Sequence, residues 1–192
     1  HDLKERLRTI QTWINVLEED LEGKLSQTHK EYFHFVIDAS KRLSRLIESL
    51  LGYAQADRGP QRLENVNVRI EVEQVLNLLK DDIETQNASI ILGFLPTVIW
   101  DPVAVSQIFQ NLISNALKYR SEKSPLIEIF GDRKNKESVF AVRDNGVGFN
   151  TADTDKIFQA FYRLKRTDQS DGSGIGLTVV KTMVEKRGGK IW

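Results

Sequence analysis

A heptad repeat at the N-terminal end limits most how this chain can fold. Leu3, Leu7, Ile10, Ile14, Leu17 and Leu21 follow one another at steps of 4, 3, 4, 3 and 4. After an interruption over residues 22–28, Tyr32, Val36, Ala39, Leu43, Leu46, Leu50 and Tyr53 resume at 4, 3, 4, 3, 4 and 3. Alternating steps of three and four draw one narrow apolar seam along a helix, the geometry of left-handed bundles and coiled coils. Residues 1–22 and 28–57 therefore read as two antiparallel helices, the second about 45 Å long at a rise of about 1.5 Å per residue. One hairpin with two narrow seams encloses no core. The economical solution is a homodimer through residues 1–57, which makes a four-helix bundle. The alternative is a single hairpin packed on the rest of the chain.

The period changes at Asp57-Arg-Gly-Pro60, where Gly59-Pro60 stops the helix and opens a linker over residues 58–64. Residues 65–192 form the second domain and read as mixed α and β. Helices are expected over residues 68–84, from Asp101 to Tyr119 and from Ile175 to Lys186. Asp101 is placed to cap the middle helix, with Pro102 at its first position. Strands are expected over Ser89–Phe94, Leu126–Arg133 and Ser138–Asp144, the last two joined at Lys134-Asn-Lys136. Lys190-Ile-Trp192 reads as the start of a further strand.

Composition narrows the function by exclusion. The chain of 192 residues has 27 basic and 27 acidic residues, so the excess positive charge of nucleic-acid binders is missing and no nucleic-acid partner is expected. There is no cysteine, which removes disulfides, cysteine-zinc sites and thiol nucleophiles and fits a cytoplasmic, reducing location. The longest apolar-looking stretch, Ser89 to Trp100, contains a proline and is shorter than the roughly 20 residues that span a bilayer, so no membrane segment is expected. No secretory signal pattern opens the chain.

Three groups of residues point to chemistry. On the helix ending at Tyr119, Asn111, Asn115 and Lys118 stand at i, i+4 and i+7 and share one face. Asparagine is a poor residue for a helix interior, so two of them on one stripe ask for a reason. Two amides and an ammonium suit a phosphate ligand carrying Mg²⁺, which takes oxygen ligands and is usually shared with phosphates; a solvated face is the plainer alternative. Asp144-Asn-Gly-Val-Gly-Phe149 follows a strand, and Gly172-Ser-Gly-Ile-Gly-Leu177 opens a helix. Glycine admits a ligand close to the backbone, and a helix N-terminus offers free N–H groups to phosphate oxygens. Alone, each stretch equally describes a turn and a helix cap. Neither has the spacing of a dinucleotide fingerprint or of a P-loop.

Taken in order, the blocks Asn111–Tyr119, Asp144–Phe149, Phe158-Gln-Ala-Phe161-Tyr-Arg163 and Gly172–Leu177 resemble the N box, first glycine box, F box and second glycine box of sensor histidine kinases, members of the GHKL ATPase superfamily. The opening His1-Asp-Leu-Lys-Glu5 resembles the family's H box. The resemblance implies an α+β architecture: a helical hairpin forming a dimeric four-helix bundle, then an α/β sandwich of the Bergerat type, a mixed sheet with helices on one face. It implies a two-component histidine kinase core that transfers the γ-phosphate of ATP to His1, and then to an aspartate on a response-regulator receiver domain.

The roles follow position by position. Asn115 would be the metal ligand for Mg²⁺, with Asn111 beside it. Lys118 would meet phosphate and Tyr119 would lie along the adenine. Asp144 would accept from the adenine amino group. Gly146 and Gly148 would let the chain pass close to the base. Arg163 would reach toward the transferring phosphate. Gly172, Ser173, Gly174, Gly176 and Leu177 would set the helix N-terminus on the phosphates. Residues 164–171 would form a mobile lid, and Phe158 and Phe161 would pack to anchor it. For the proton on His1, the family resemblance points to Asp2, whereas helical spacing brings Glu5, at i+4, to the same face.

Several positions depart from the family's pattern. Where related hydrolytic ATPases carry a glutamate four residues before the metal-binding asparagine, this chain has Asn111, a poor general base, so ATP should be held rather than hydrolysed. Arg6 stands where related H boxes have proline, which predicts a straighter helix. Glu5 stands where many members have Thr or Asn, which predicts weak phosphatase action. Both ends read as cut from a longer sensor protein. Two other classes stay open: a hydrolytic GHKL ATPase clamp, and a non-catalytic dimerisation and nucleotide-sensing module.

Overall fold

The structure is a computed structural model. It describes residues 9, 12–14, 16, 17, 21, 29, 32, 33, 35–37, 39, 40, 63–135, 137–162 and 174–192. From residue 63 the chain runs through β1 (Glu64–Val66), α1 (Val68–Leu78), α2 (Lys80–Thr85), β2 (Ser89–Leu92), β3 (Val98–Trp100), α3 (Pro102–Lys118), β4 (Leu126–Lys134), β5 (Glu137–Asp144), a 3-10 turn (Thr151–Asp153) and α4 (Gly176–Glu185).

The sheet is mixed. β4 is central, parallel to β2 and antiparallel to β5. β1 and β3 form a separate antiparallel pair. Alternation along β4 decides which side is covered: Ile127 and Ile129 are fully buried, whereas Leu126 and Phe130 on the other face are exposed. The buried face meets Val68, Val72 and Val75 of α1 and Val105, Phe109, Ile113, Ala116 and Leu117 of α3. The opposite face carries Ile91, Phe130 and an ion pair between Arg143 and Glu128 at 3.5 Å. The helices therefore lie on one face of the sheet, as expected of an α/β sandwich.

α3 holds the unit together. Asp101 caps it, its Oδ1 accepting from the N–H groups of Val103 at 2.9 Å and Ala104 at 3.4 Å, and Pro102 begins the helix. One stripe of α3 enters the main core. A second packs Ala104 and Ile108 against Ile175, Val179 and Met183 on and beside α4. Each large apolar side chain so buried contributes about 1.5–3 kcal/mol, far more than helix propensity does. Asn111, Asn115 and Lys118 continue this second stripe toward the end of the helix, past the apolar contact with α4.

Some expectations change. The single helix expected over residues 68–84 breaks at Leu79 (φ −97°, ψ 12°), and the break brings both Leu79 and Ile83 against the core. Three residues carry too little periodicity to announce β1 or β3, and Glu64, expected in the linker, pairs with Trp100. Lys190, Ile191 and Trp192 join neither sheet, because a strand needs a neighbouring ladder and these residues have none. The hairpin turn is as expected: Lys134 faces Glu137, and Asn135 takes the positive φ of 57° that a two-residue turn requires. In the N-terminal region, residues 9, 12–14, 16, 17, 29, 32, 33, 35–37, 39 and 40 are helical. The loop and most of the heptad seam of the expected hairpin lie outside the described residues, and the described ones form no bundle.

Candidate functional site

The candidate residues converge where α3 ends. Asn111 Nδ2 donates to the carbonyl of Gln107 at 2.8 Å, one turn back on its own helix. That bond fixes the amide and directs Oδ1 outward. There it faces the first residue of α4: a Cβ on Gly176 would stand 2.8 Å from Asn111 Oδ1 and 4.0 Å from Asn115 Nδ2. The asparagine stripe and the N-terminus of α4 are thus in contact, with only a hydrogen atom's room at Gly176. Ile175 sits at the N-cap position and has no side chain able to cap. The first N–H groups of a helix have no partner within it, so this end of α4 presents donors and the positive end of the helix dipole beside two amides.

The first glycine box folds back on the same end of α3. Asp144 ends β5 and is exposed; its Oδ1 accepts from the N–H of Gly146 at 2.8 Å, which leaves Oδ2 free to accept from a ligand. The N–H of Val147 donates to the carbonyl of Tyr119 at 3.0 Å. Gly146 lies so close to that carbonyl that a Cβ would come within 2.4 Å of its oxygen. Gly148 has φ +61°, the left-handed region, with open space around it. Lys118 Nζ donates to the Tyr119 hydroxyl at 3.2 Å and lies 4.7 Å from the centre of its ring. Reaching a phosphate would take a rotation of the Lys118 side chain off that ring.

The F box and the second glycine box also meet. The N–H of Phe161 donates to the carbonyl of Gly174 at 2.9 Å, and both residues have positive φ, 66° and 68°. A side chain on Gly174 would strike the Phe161 backbone at 2.9 Å. Phe158 is half-buried beside Lys181. Phe161 departs from its expected packing role: it is 62% exposed, because its left-handed backbone turns the ring away from the core. Tyr162 donates to Asp153 Oδ1 at 2.9 Å, and Lys156 reaches the same oxygen at 3.3 Å. The Tyr162 hydrogen bond, then Lys156, hold the Asp153 carboxyl below the usual carboxylate range, and the bond to Asp153 pushes the Tyr162 phenol up. The carboxylate's contribution is therefore lost only as pH falls through its lowered value, and the phenol's only as pH rises through its raised one. The Tyr162–Asp153 bond should stay intact across the neutral range. Tyr162 ring resonances that titrate between pH 6 and 8 would contradict this.

Of the residues singled out from sequence, Asn111, Asn115, Lys118, Tyr119, Asp144, Gly146, Gly148, Gly174, Gly176 and Leu177 are described and fall on three adjoining segments. His1, Asp2, Glu5, Arg163, Gly172 and Ser173 lie outside the described residues, as do residues 164–171. Sequence reading missed Asn145, whose side chain joins the first glycine box to the loop after α3. It lies inside a recognised block, and only the fold reveals its partners.

The arrangement fits a nucleotide with a divalent cation. Two amide groups supply hard oxygen donors, a helix with no side-chain cap supplies N–H groups, and Gly176 lets the two come into contact. Among the described residues there is no group of three or more His, Cys, Asp or Glu that could hold a metal. A separate groove lined by Asn67, Arg69, Phe94, Leu95, Pro96, Thr97 and Arg133 touches none of these residues. Among the described residues no helix is long and apolar enough to cross a membrane.

Comparison with known proteins agrees with this geometry. Residues 100–192 match the family described as histidine kinase-, DNA gyrase B-, and HSP90-like ATPase. The chain is 36% identical over all 192 residues to the phytochrome-like protein Cph1 of Synechocystis sp., and spans 26% of that protein. Its fold matches full-length ShkA, solved in complex with AMPPNP, with a TM-score of 0.72 at 22% identity, covering 98% of this chain and 40% of ShkA. It also matches histidine kinase ThkA, solved in complex with response regulator protein TrrA, with a TM-score of 0.67 at 19% identity, covering 100% of this chain and 55% of ThkA. With a family match over residues 100–192 and 36% identity to a phytochrome-like protein along all of this chain, the chain belongs with the sensor histidine kinases and carries their GHKL-type ATP-binding catalytic domain.

Proposed function

We propose that this chain is the catalytic core of a two-component sensor kinase, which moves the γ-phosphate of ATP to His1 and from there to an aspartate of a response-regulator receiver domain. The observation that carries the reading is the contact between Gly176 and the Asn111 amide, which joins a helix N-terminus to an oxygen-donor stripe. Residues 1–57 form the dimerising and phosphoacceptor hairpin, a linker follows, and the ATP-binding domain opens with β1 at Glu64, working in the cytoplasm. The identity to Cph1 extends through residues 1–57 and supports the first of these assignments. The complex of ThkA with TrrA supports the choice of partner.

In this reading Asn115 would hold Mg²⁺ with Asn111 beside it, and such an ion would supply charge neutralisation at the phosphates. Lys118, released from Tyr119, pairs with a phosphate oxygen. Gly172, Ser173, Gly174, Gly176 and Leu177 lay the N–H groups of α4 against the others. Asp144 accepts from the adenine amino group, and Tyr119 lies along the base. Arg163 extends toward the phosphate being transferred. His1 attacks phosphorus through a ring nitrogen, the bond from the γ-phosphorus to the bridging oxygen breaks, ADP leaves, and the ring proton passes to Asp2 or Glu5. Asn111 has no basic oxygen with which to activate water, so the γ-phosphate is kept for the histidine.

Incubating the chain with γ-labelled ATP and Mg²⁺ tests this. The expected product is a protein-bound label that is lost in acid and kept in base. Steady phosphate release with no labelled protein would replace this reading with a hydrolytic ATPase clamp. ATP binding with neither label nor phosphate release would replace it with a nucleotide-sensing module.

A further inference from the structure

β4 and β5 stay paired as far as Ile127 and Asp144, the rung beside the candidate base contact. Beyond that rung the ladder would end, but the Asn145 side chain continues it. Its Oδ1 accepts from the N–H of Leu126 at 2.8 Å, and its Nδ2 donates to the carbonyl of Ser124 at 3.0 Å. The amide thus does for its segment what a backbone N–H and C=O would do for a strand. Two further bonds close the same gap. Ser121 Oγ donates to the Asn145 carbonyl at 3.2 Å, and the N–H of Val147 donates to the Tyr119 carbonyl at 3.0 Å. Four hydrogen bonds therefore join residues 119–126 to residues 145–147, and two of them belong to one side chain.

This zipper sets a distance. Tyr119 closes α3, and Asp144 is anchored next to Asn145. Whatever lies between ring and carboxylate is gauged by the loop that connects them. Asn145 is exposed and contributes nothing to the apolar core, so packing does not account for it. Asp144 Oδ1 is itself committed to the Gly146 N–H, so the direction of its free oxygen depends on where residues 145 and 146 are held.

We propose that Asn145 is a positioning residue of the nucleotide site, which fixes the gap between Tyr119 and Asp144 and thereby sets the preference for adenine over guanine. The proposal rests on the reading of Asp144 as the base contact. An adenine amino group donates to a carboxylate oxygen, whereas a guanine presents a carbonyl there and is repelled. That discrimination needs the carboxylate held at one place. A loosened Asp144 can swing aside and tolerate either base.

The test is binding of Mg-ATP and Mg-GTP to the full chain by calorimetry, with wild type, Asn145→Ala, Asn145→Asp and Asp144→Asn compared. Asn145→Ala removes both side-chain bonds and should weaken ATP binding about tenfold while GTP binding changes less than about twofold. Asn145→Asp keeps the acceptor for Leu126 N–H, loses the donor to Ser124, and should fall between. In the Asp144→Asn background, Asn145→Ala should weaken ATP binding no further. Equal losses for ATP and GTP would show a merely structural role and overturn the proposal. An Asp144→Asn chain that binds ATP as tightly as wild type would instead overturn the base-contact reading. If Asn145→Ala fails to fold, the ATP-to-GTP ratio of Asn145→Asp decides: an unchanged ratio rejects the proposal.

Discussion

Gly146→Ala should remove measurable Mg-ATP binding, whereas Gly148→Ala, two residues on in the same box, should weaken it less than about fivefold. The two glycines are required for different reasons. At Gly146 the limit is space. An added Cβ would stand 2.4 Å from the Tyr119 carbonyl oxygen and 2.7 Å from Asp144 Oδ1. Neither neighbour is free to yield, since the first accepts from Val147 N–H and the second from Gly146 N–H. Relief therefore breaks hydrogen bonds as well as shifting backbone. Overpacking costs about 1–3 kcal/mol, and a lost bond adds about 1 kcal/mol, together on the order of a hundredfold or more in affinity. At Gly148 the limit is conformation. Nothing lies within 4 Å of an added Cβ, and φ is +61°. A left-handed alanine costs about 1 kcal/mol and strikes nothing. Titration of both variants with Mg-ATP, beside thermal unfolding without nucleotide, reads the difference. A Gly146→Ala chain that binds like wild type would show that the box does not approach Tyr119 as closely in solution.

That contrast also marks how far sequence reading reaches here. The glycine boxes announce themselves by spacing, but spacing does not say which glycine is excluded by a neighbour and which by its own dihedral angle. The cap at Asp101-Pro102 was legible because its chemistry is local: one side chain and the two N–H groups just after it. The asparagine stripe was legible because a helix converts sequence steps into a face. Asn145 was not, since its partners lie 19 and 21 residues away across a strand. β1 and β3 were not, since each has three residues and its pairing lies in the other. Phe161 departs from its expected packing for a related reason. Its aromatic character argued for packing, and only the backbone shows the left-handed turn that exposes it.

His1→Gln should reduce the acid-labile label to background while leaving Mg-ATP affinity within about twofold of wild type. Glutamine approximates the size of histidine but offers an amide nitrogen whose lone pair is delocalised into its carbonyl, so it cannot form a bond to phosphorus. The nucleotide residues all lie in the second domain, so binding has no reason to change. The comparison is sharp because two other histidines remain in the variant. His29 lies near Tyr32, its ring centroid 6.4 Å from that of Tyr32, and His34 follows five positions later in the sequence. Label persisting on either would move the phosphoacceptor into the second helix and overturn the assignment. The same assay separates the candidate bases. Asp2 adjoins His1 in sequence but points elsewhere on an ideal helix, whereas Glu5 stands one turn on and shares its face. General-base catalysis is worth about 10²–10⁴-fold, so the true base should lose at least about a hundredfold in labelling rate when made an amide, and the other little. If Asp2→Asn and Glu5→Gln both label at the wild-type rate, neither carboxylate takes the proton, and the ring must release it directly to water.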